Sequence, residues 1–220
     1  MKRLPIITTS MADRGLNSLL QWSIENSSAA HDSEPIQPQR PVRPIDAEAL
    51  KALMGGPSDA DLMKEAMAVI EHPEATLPDR ITAFDNFEQL IENLDNANNM
   101  GSLGLWAPLM KQLDSPDADM QRMAAWCVGT AVQNNIRAQE TLLTVGGIPK
   151  LAKMASEAET DKEVKRKAIY ALSSEVRNYQ PGLDEAMKNL PKAVAPDGGV
   201  DAGDMDIVDK IIEALRTGIT

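Results

Sequence analysis

Apolar residues recur along this chain with the period of a helix, in stretches separated by glycine and proline. Leu62, Ala66, Val69 and Ile70 share one helical face, with Met63 and Met67 beside it. Ser58 followed three residues later by Asp61 is a start signal for that helix. Met54-Gly-Gly-Pro-Ser58 therefore ends one short helix and begins another. Further breaks come at His72-Pro73, Ser115-Pro116 and Gly146-Gly-Ile-Pro149. Residues 193–203 read as a loop, after which Asp204 is a helix cap. Ile207, Val208, Ile211, Ile212 and Leu215 then form the apolar stripe of a short terminal helix. No strand pattern competes with this, so the chain is expected to be all-α.

The front of the chain is different. Leu16-Asn-Ser-Leu-Leu-Gln-Trp-Ser-Ile24 is a short apolar patch. A polar stretch follows, with prolines at 35, 38, 41 and 44. A proline every third residue forbids helix and favours an extended, polyproline-like path, so this stretch reads as a spacer. Three regions result: a flexible segment over 1–45, a repeat core over 46–190, and a loop with a capping helix over 191–220.

The core carries an internal repeat. A shift of 41 brings Ala83 onto Ala124, Ile91 onto Val132, Asn93 onto Asn134, Ala97 onto Ala138 and Pro108 onto Pro149. A shift of 44 brings Arg122 onto Arg166, Ala124 onto Ala168, Trp126 onto Tyr170, Val132 onto Val176 and Asn134 onto Asn178. The three-residue difference is assigned to the loop between Ser156 and Glu163. Helical units of about 40–47 residues define an armadillo or HEAT solenoid, in which each unit buries its apolar face by stacking on the next. The fold is expected to be an armadillo-like solenoid with a disordered N-terminal segment.

Composition supports helices and narrows the function. Aromatic residues are 3% of the 220, too few for a sandwich or barrel, while Ala, Leu and twelve Met suit helix packing. The net charge of −11 makes phosphate backbones a repulsive partner, so nucleic acid is disfavoured. Residues 46–120 hold 4 basic against 15 acidic residues and 121–190 hold 10 against 8, so a partner can be oriented as well as attracted. No apolar run approaches the ~20 residues of a membrane span, and residues 1–10 lack the apolar stretch of a secretory signal. With its one cysteine, Cys127, in an apolar run, the chain reads as a soluble cytoplasmic protein with a buried thiol.

Catalytic chemistry has little to stand on. The two histidines, His31 and His72, have no second ligand at metal spacing, so no metal site is expected. The glycine pairs at 55–56, 146–147 and 198–199 lack the Lys-Ser/Thr ending of a phosphate loop and read as helix terminators. What recurs is a polar end to each long helix. Glu92-Asn-Leu-Asp-Asn-Ala-Asn-Asn99 closes the first, Gln133-Asn-Asn135 the second and Arg177-Asn178 the third. Stacked repeat on repeat, these side chains would form a ladder on the inner surface. The expected partner-binding residues are Glu92, Asp95, Asn96, Ala97, Asn98, Asn99, Gln133, Asn134, Arg177 and Asn178. Ala97 is the small residue that would let a partner approach. The bland reading is that Asn simply ends helices.

Leu19-Leu-Gln-Trp-Ser-Ile-Glu-Asn-Ser27, Leu62-Met-Lys-Glu-Ala-Met-Ala-Val-Ile70, the block Ala83–Asn99 and Gly129-Thr-Ala-Val-Gln-Asn-Asn135 together resemble the fungal Fes-type nucleotide-exchange factors. Family members usually begin near the Leu-Leu-Gln-Trp segment, which makes Met11 the expected start and residues 1–10 an extension. After Leu190 the chain lacks the full further repeat of longer members. The resemblance implies a co-chaperone, without cofactor or catalytic residue, that binds the nucleotide-binding domain of cytosolic 70-kDa heat-shock chaperones. It would speed ADP release there as a monomer, supporting protein folding and translation. Whether ribosome-associated chaperones are also served stays open. In that setting Leu19, Leu20, Trp22 and Ile24 have the form of a client-mimicking segment. The rival is an armadillo adaptor for extended peptides. Its groove needs Trp followed four residues later by Asn, whereas Thr130 and Ser174 stand in those places here.

Overall fold

In a computed structural model, residues 57–194 and 198–218 are described, and those from Asp59 onward belong to one compact unit. Among the described residues ten helices follow one another: α1 (Asp59–Glu71), α2 (Leu77–Ile91), α3 (Leu94–Asn99), α4 (Trp106–Gln112), α5 (Ala118–Val132), α6 (Ile136–Thr144), α7 (Gly147–Ser156), α8 (Lys162–Val176), α9 (Gln180–Asn189) and α10 (Met205–Thr217). No strand occurs among the described residues. The segment expected to carry the client-mimicking residues Leu19, Leu20, Trp22 and Ile24 lies outside them, as does the proline-rich spacer.

The repeat is visible in the helix lengths. α2, α5 and α8 are 15 residues each and begin at positions 77, 118 and 162, the shifts of 41 and 44 read from the sequence. Each is preceded by a five-residue turn whose last member caps the helix. Thr76, Asp117 and Asp161 accept from the backbone N–H groups of Asp79, Met120 and Val164 respectively. Since these turns are of equal length, the extra three residues of the second unit are not in the loop after Ser156. They lengthen α7, which has ten residues where α4 has seven. The reason is local: a turn tuned to cap a helix tolerates insertion less well than a helix end that can grow by most of a turn.

Equivalent positions bury equivalent residues. Ala83, Ala124 and Ala168 let the long helices approach, and Ile91, Val132 and Val176 close their ends. Phe84, Phe87, Met120, Leu142, Ile148 and Leu151 fill the space between layers with no exposed surface. The thiol of Cys127 is buried against the Phe84 carbonyl, as its place in an apolar run predicts. α1 starts directly after Ser58 as expected, but its buried stripe is Met63, Ala66, Met67 and Ile70. That spacing of 0, 3, 4 and 7 is the tighter helical face, and it leaves Val69 at the surface.

α10 is the expected terminal helix. Asp204 caps it, and Val208, Ile211, Ile212 and Leu215 are buried, with α8 as a neighbour. The approach to it is clipped by Gln180, whose side chain donates to the Val200 carbonyl and accepts from the Ala202 N–H, both at 2.8 Å. A terminal layer of this kind covers an apolar face that a further repeat would otherwise cover.

Candidate partner groove

The long helices α2, α5 and α8 lie side by side, and a groove opens along the face they share. Its cavity of about 420 Å³ is lined by Glu88 and Glu92 from α2 and its end, by Trp126, Thr130, Gln133 and Asn134 from α5 and its end, and by Tyr170 from α8. Helical spacing explains the selection. Asp85, Glu88 and Glu92 are one face of α2, Trp126 and Thr130 one face of α5, and Lys167 and Tyr170 one face of α8.

These side chains hold one another. The Thr130 hydroxyl donates to Glu88 Oε1 at 2.6 Å, and the Tyr170 hydroxyl donates to Gln133 Oε1 at 3.2 Å. The Lys167 ammonium lies 3.7 Å from the centre of the Trp126 ring and 5.8 Å from that of Tyr170, within cation–π range of both. Gly129 makes the aromatic packing possible, because a Cβ there would collide with the Tyr170 ring. Burial pushes the Glu88 carboxyl above its usual range against the lowering effect of Thr130, and the charges of Glu92 and Asp85 push the same way. Burial holds the Lys167 ammonium below its usual range, with Glu88 opposing that shift.

The ten expected binding residues do not form one ladder. Glu92, Gln133 and Asn134 line the groove. The block 92–99 does not close a long helix: α2 ends at Ile91, and Asn93 caps the separate helix α3 by accepting from the N–H groups of Asp95 and Asn96. Asn96 is spent internally, its side-chain amide donating to Asp59 Oδ2 at 2.8 Å and to the Leu90 carbonyl at 2.9 Å. Ala97 is 3% exposed and belongs to the core, so it is no gate for a partner. An arginine there would bury a charge and unfold the repeat rather than block docking. Asn98 is half-buried, while Asp95 and Asn99 are exposed on α3, away from the groove lining.

The remaining two are turn and cap residues. Arg177 reaches Asp209 and Met205 of α10 as well as Ser173, so it ties down the terminal helix. Asn178 has φ of 56° and Asn134 φ of 51°, and the N–H of Asn178 donates to the Ala202 carbonyl at 3.0 Å. Asparagine tolerates this left-handed conformation better than other side chains, which explains why it recurs at the repeat junction. Sequence reasoning missed Glu88, Trp126, Thr130, Lys167 and Tyr170. The alignment of Trp126 with Tyr170 at the shift of 44 is the signal that could have found them.

Among the described residues no group of three or more His, Cys, Asp or Glu could hold a metal ion, and no helix is long and apolar enough to cross a membrane. Stacked three-helix units whose long helices share one face define an armadillo-like repeat protein. Residues 16–100 match the family described as nucleotide exchange factor Fes1, and residues 96–188 match the SIL1/FES1/HPBP1 C-terminal domain. The chain is 51% identical over 212 residues to the Hsp70 nucleotide exchange factor FES1 of Gibberella zeae, covering 95% of this chain and 99% of that protein. Identity to the protein of the same name from Coccidioides immitis is 52% over 208 residues, covering 93% and 98%. For fes-1 of Neurospora crassa it is 47% over 239 residues, covering 93% and 97%. The chain belongs to the Fes1 nucleotide-exchange-factor family.

Proposed function

We propose that this chain accelerates ADP release from 70-kDa heat-shock chaperones and so promotes client release. What carries the reading is the near-complete, half-identical match to three proteins named as Hsp70 nucleotide exchange factors. The face formed by α2, α5 and α8 grips one lobe of the chaperone's nucleotide-binding domain, and the body of the solenoid crowds the other. The cleft opens, ADP leaves and ATP enters.

Such a mechanism needs neither a catalytic residue nor a nucleotide site in this chain. A binding partner shifts a two-state equilibrium only by its preference for one state. Driving a cleft from 1:99 open to 99:1 takes about a 10⁴-fold preference, or about 5.5 kcal/mol. A broad helical face with an aromatic centre suits that demand, since interface hot spots concentrate in Trp, Tyr and Arg. The protein acts as a cytoplasmic monomer, serving cytosolic chaperones in protein folding and translation. Residues 19–24, tethered by the proline-rich stretch, compete with departing client for the chaperone's client site.

The test is release of fluorescent ADP from a 70-kDa chaperone as the full chain is titrated in. Saturable acceleration supports the reading, and release no faster than the spontaneous rate would refute it. Deleting residues 1–44 should leave ADP release intact and slow the loss of a tightly bound peptide client. Equal client release by both forms would remove the tethered segment from the mechanism.

A further inference from the structure

The groove has a chemical preference, and the inference drawn from it rests on the exchange-factor reading. Trp126 and Tyr170 are among its lining residues, Glu88 is a buried acid within it and Glu92 an exposed acid at its edge. An aromatic face attracts a cation through its quadrupole, and a carboxylate accepts charge-assisted hydrogen bonds; together they make a receptor for a cationic group. The protein already demonstrates the attraction, since the ammonium of Lys167 rests 3.7 Å above Trp126.

That one ammonium does not balance the site. Asp85, Glu88 and Glu92 lie along the same face of α2, and the charges of Glu92 and Asp85 both act against ionisation of Glu88. From α5, Arg122 is nearby but is engaged by Asp119 of its own helix at 3.1 Å. From α8, Arg166 is paired with Glu163 at 2.7 Å, and Lys167 is the cation that acts on Glu88. Glu92 is exposed and makes no side-chain ion pair among the described residues. The cavity of about 420 Å³ is wide enough for a long side chain to enter beside Lys167.

We propose that this pocket receives one arginine side chain of the chaperone, stacked against the Trp126–Tyr170 wall and bonded to Glu92, with Glu88 as a second acceptor. A guanidinium fits better than an ammonium because it is planar, stacks on rings and presents a fork of donors to a carboxylate. This contact sets the register of the clasp, while the remaining face supplies area.

The test uses the full chain and a 70-kDa chaperone loaded with fluorescent ADP. Glu92→Gln should raise the concentration for half-maximal ADP release at least about 30-fold, and Glu92→Arg further still, the range for truncating or reversing one partner of a desolvated charge pair. Both variants should melt like the wild type, because Glu92 is an exposed residue at a helix end. Scanning the chaperone's surface arginines to glutamate should find one position that restores potency to Glu92→Arg. If the wild-type chain does not accelerate release at all, the exchange-factor reading fails and takes this assignment with it. If the wild type is active and Glu92→Arg is equally potent, the arginine pocket alone is refuted. Weakening by Glu92→Arg with no compensating chaperone position would also refute it, because a steric effect would then explain the loss.

Discussion

Glu175 is the least comfortable group in the fold, and its substitution yields a sharp prediction. The residue sits on α8 with none of its surface exposed, and neither carboxyl oxygen has a hydrogen-bond partner. The start of α9 closes over it: a Cβ on Gly182 would stand 2.8 Å from Oε1 and 2.7 Å from the Tyr179 ring. From α6, Gln139 donates to the main-chain carbonyl of Glu175 and not to its carboxylate, and Glu140 adds only negative charge to this region. Burial pushes the carboxyl up to about 8 from an unfolded value of 4.5. Below pH 4.5 the group is protonated in both states and has no effect on stability. As pH rises the unfolded chain ionises first while the native state keeps its proton, so stability falls until pH passes about 8 and then levels. Each pH unit within that window removes about 1.4 kcal/mol, so the loss is about 3 kcal/mol at pH 7 and at most about 5 kcal/mol above pH 8. Glu175→Gln abolishes the titration at nearly constant shape. Thermal melts of both proteins should be compared from pH 5 to pH 9. The variant's Tm should gain on that of the wild type by roughly 10 °C between pH 5 and pH 8, at about 2–4 °C per kcal/mol for a domain of this size. Parallel profiles over that range would refute the argument, because every other titrating group is common to both proteins.

Two further substitutions probe the repeat itself. Gly129→Ala should destabilise by about 1–3 kcal/mol despite the better helix propensity of alanine, since the new methyl displaces the Tyr170 ring. Urea melts and tryptophan emission would read this, and an equally stable variant with unchanged emission would count against the packing described. At Asn134, with φ of 51°, Gly should be neutral or mildly stabilising while Val should cost about 1–2 kcal/mol or more. Equal urea midpoints for the two variants would show that the left-handed turn is not held in solution.

How far the sequence can be read depends on whether a residue's role is local. The shifts of 41 and 44 are periodic facts, recoverable from spacing alone, and they reappear as the starts of the three long helices. The groove is not of that kind. Glu88 and Thr130 are 42 residues apart, Gln133 and Tyr170 are 37 apart, and nothing in either neighbourhood announces the pair. The amide ladder fails because one side chain answers several unrelated demands. Asn96 is an internal tie, Asn93 and Asn135 are helix caps, and Asn134 and Asn178 are there for a left-handed turn. The end of α2 is hidden for a related reason. Ile91, Leu94 and Ala97 keep helical spacing across the junction, but Leu94 is 55% exposed, so the apolar rhythm continues where the helix itself does not. In the sequence the aromatic pair Trp126 and Tyr170 stands as evidence of repetition and as the start of a peptide groove that Thr130 and Ser174 leave incomplete. Two residues that repeat in type at one repeat position, yet stay half-buried where their neighbours are fully buried, are spared from the core. In a solenoid the long-helix face is where such residues come together. An aromatic that recurs beside buried alanines therefore points to the open face of the long helices more surely than polar residues at helix ends, whose first duty is to terminate the helix.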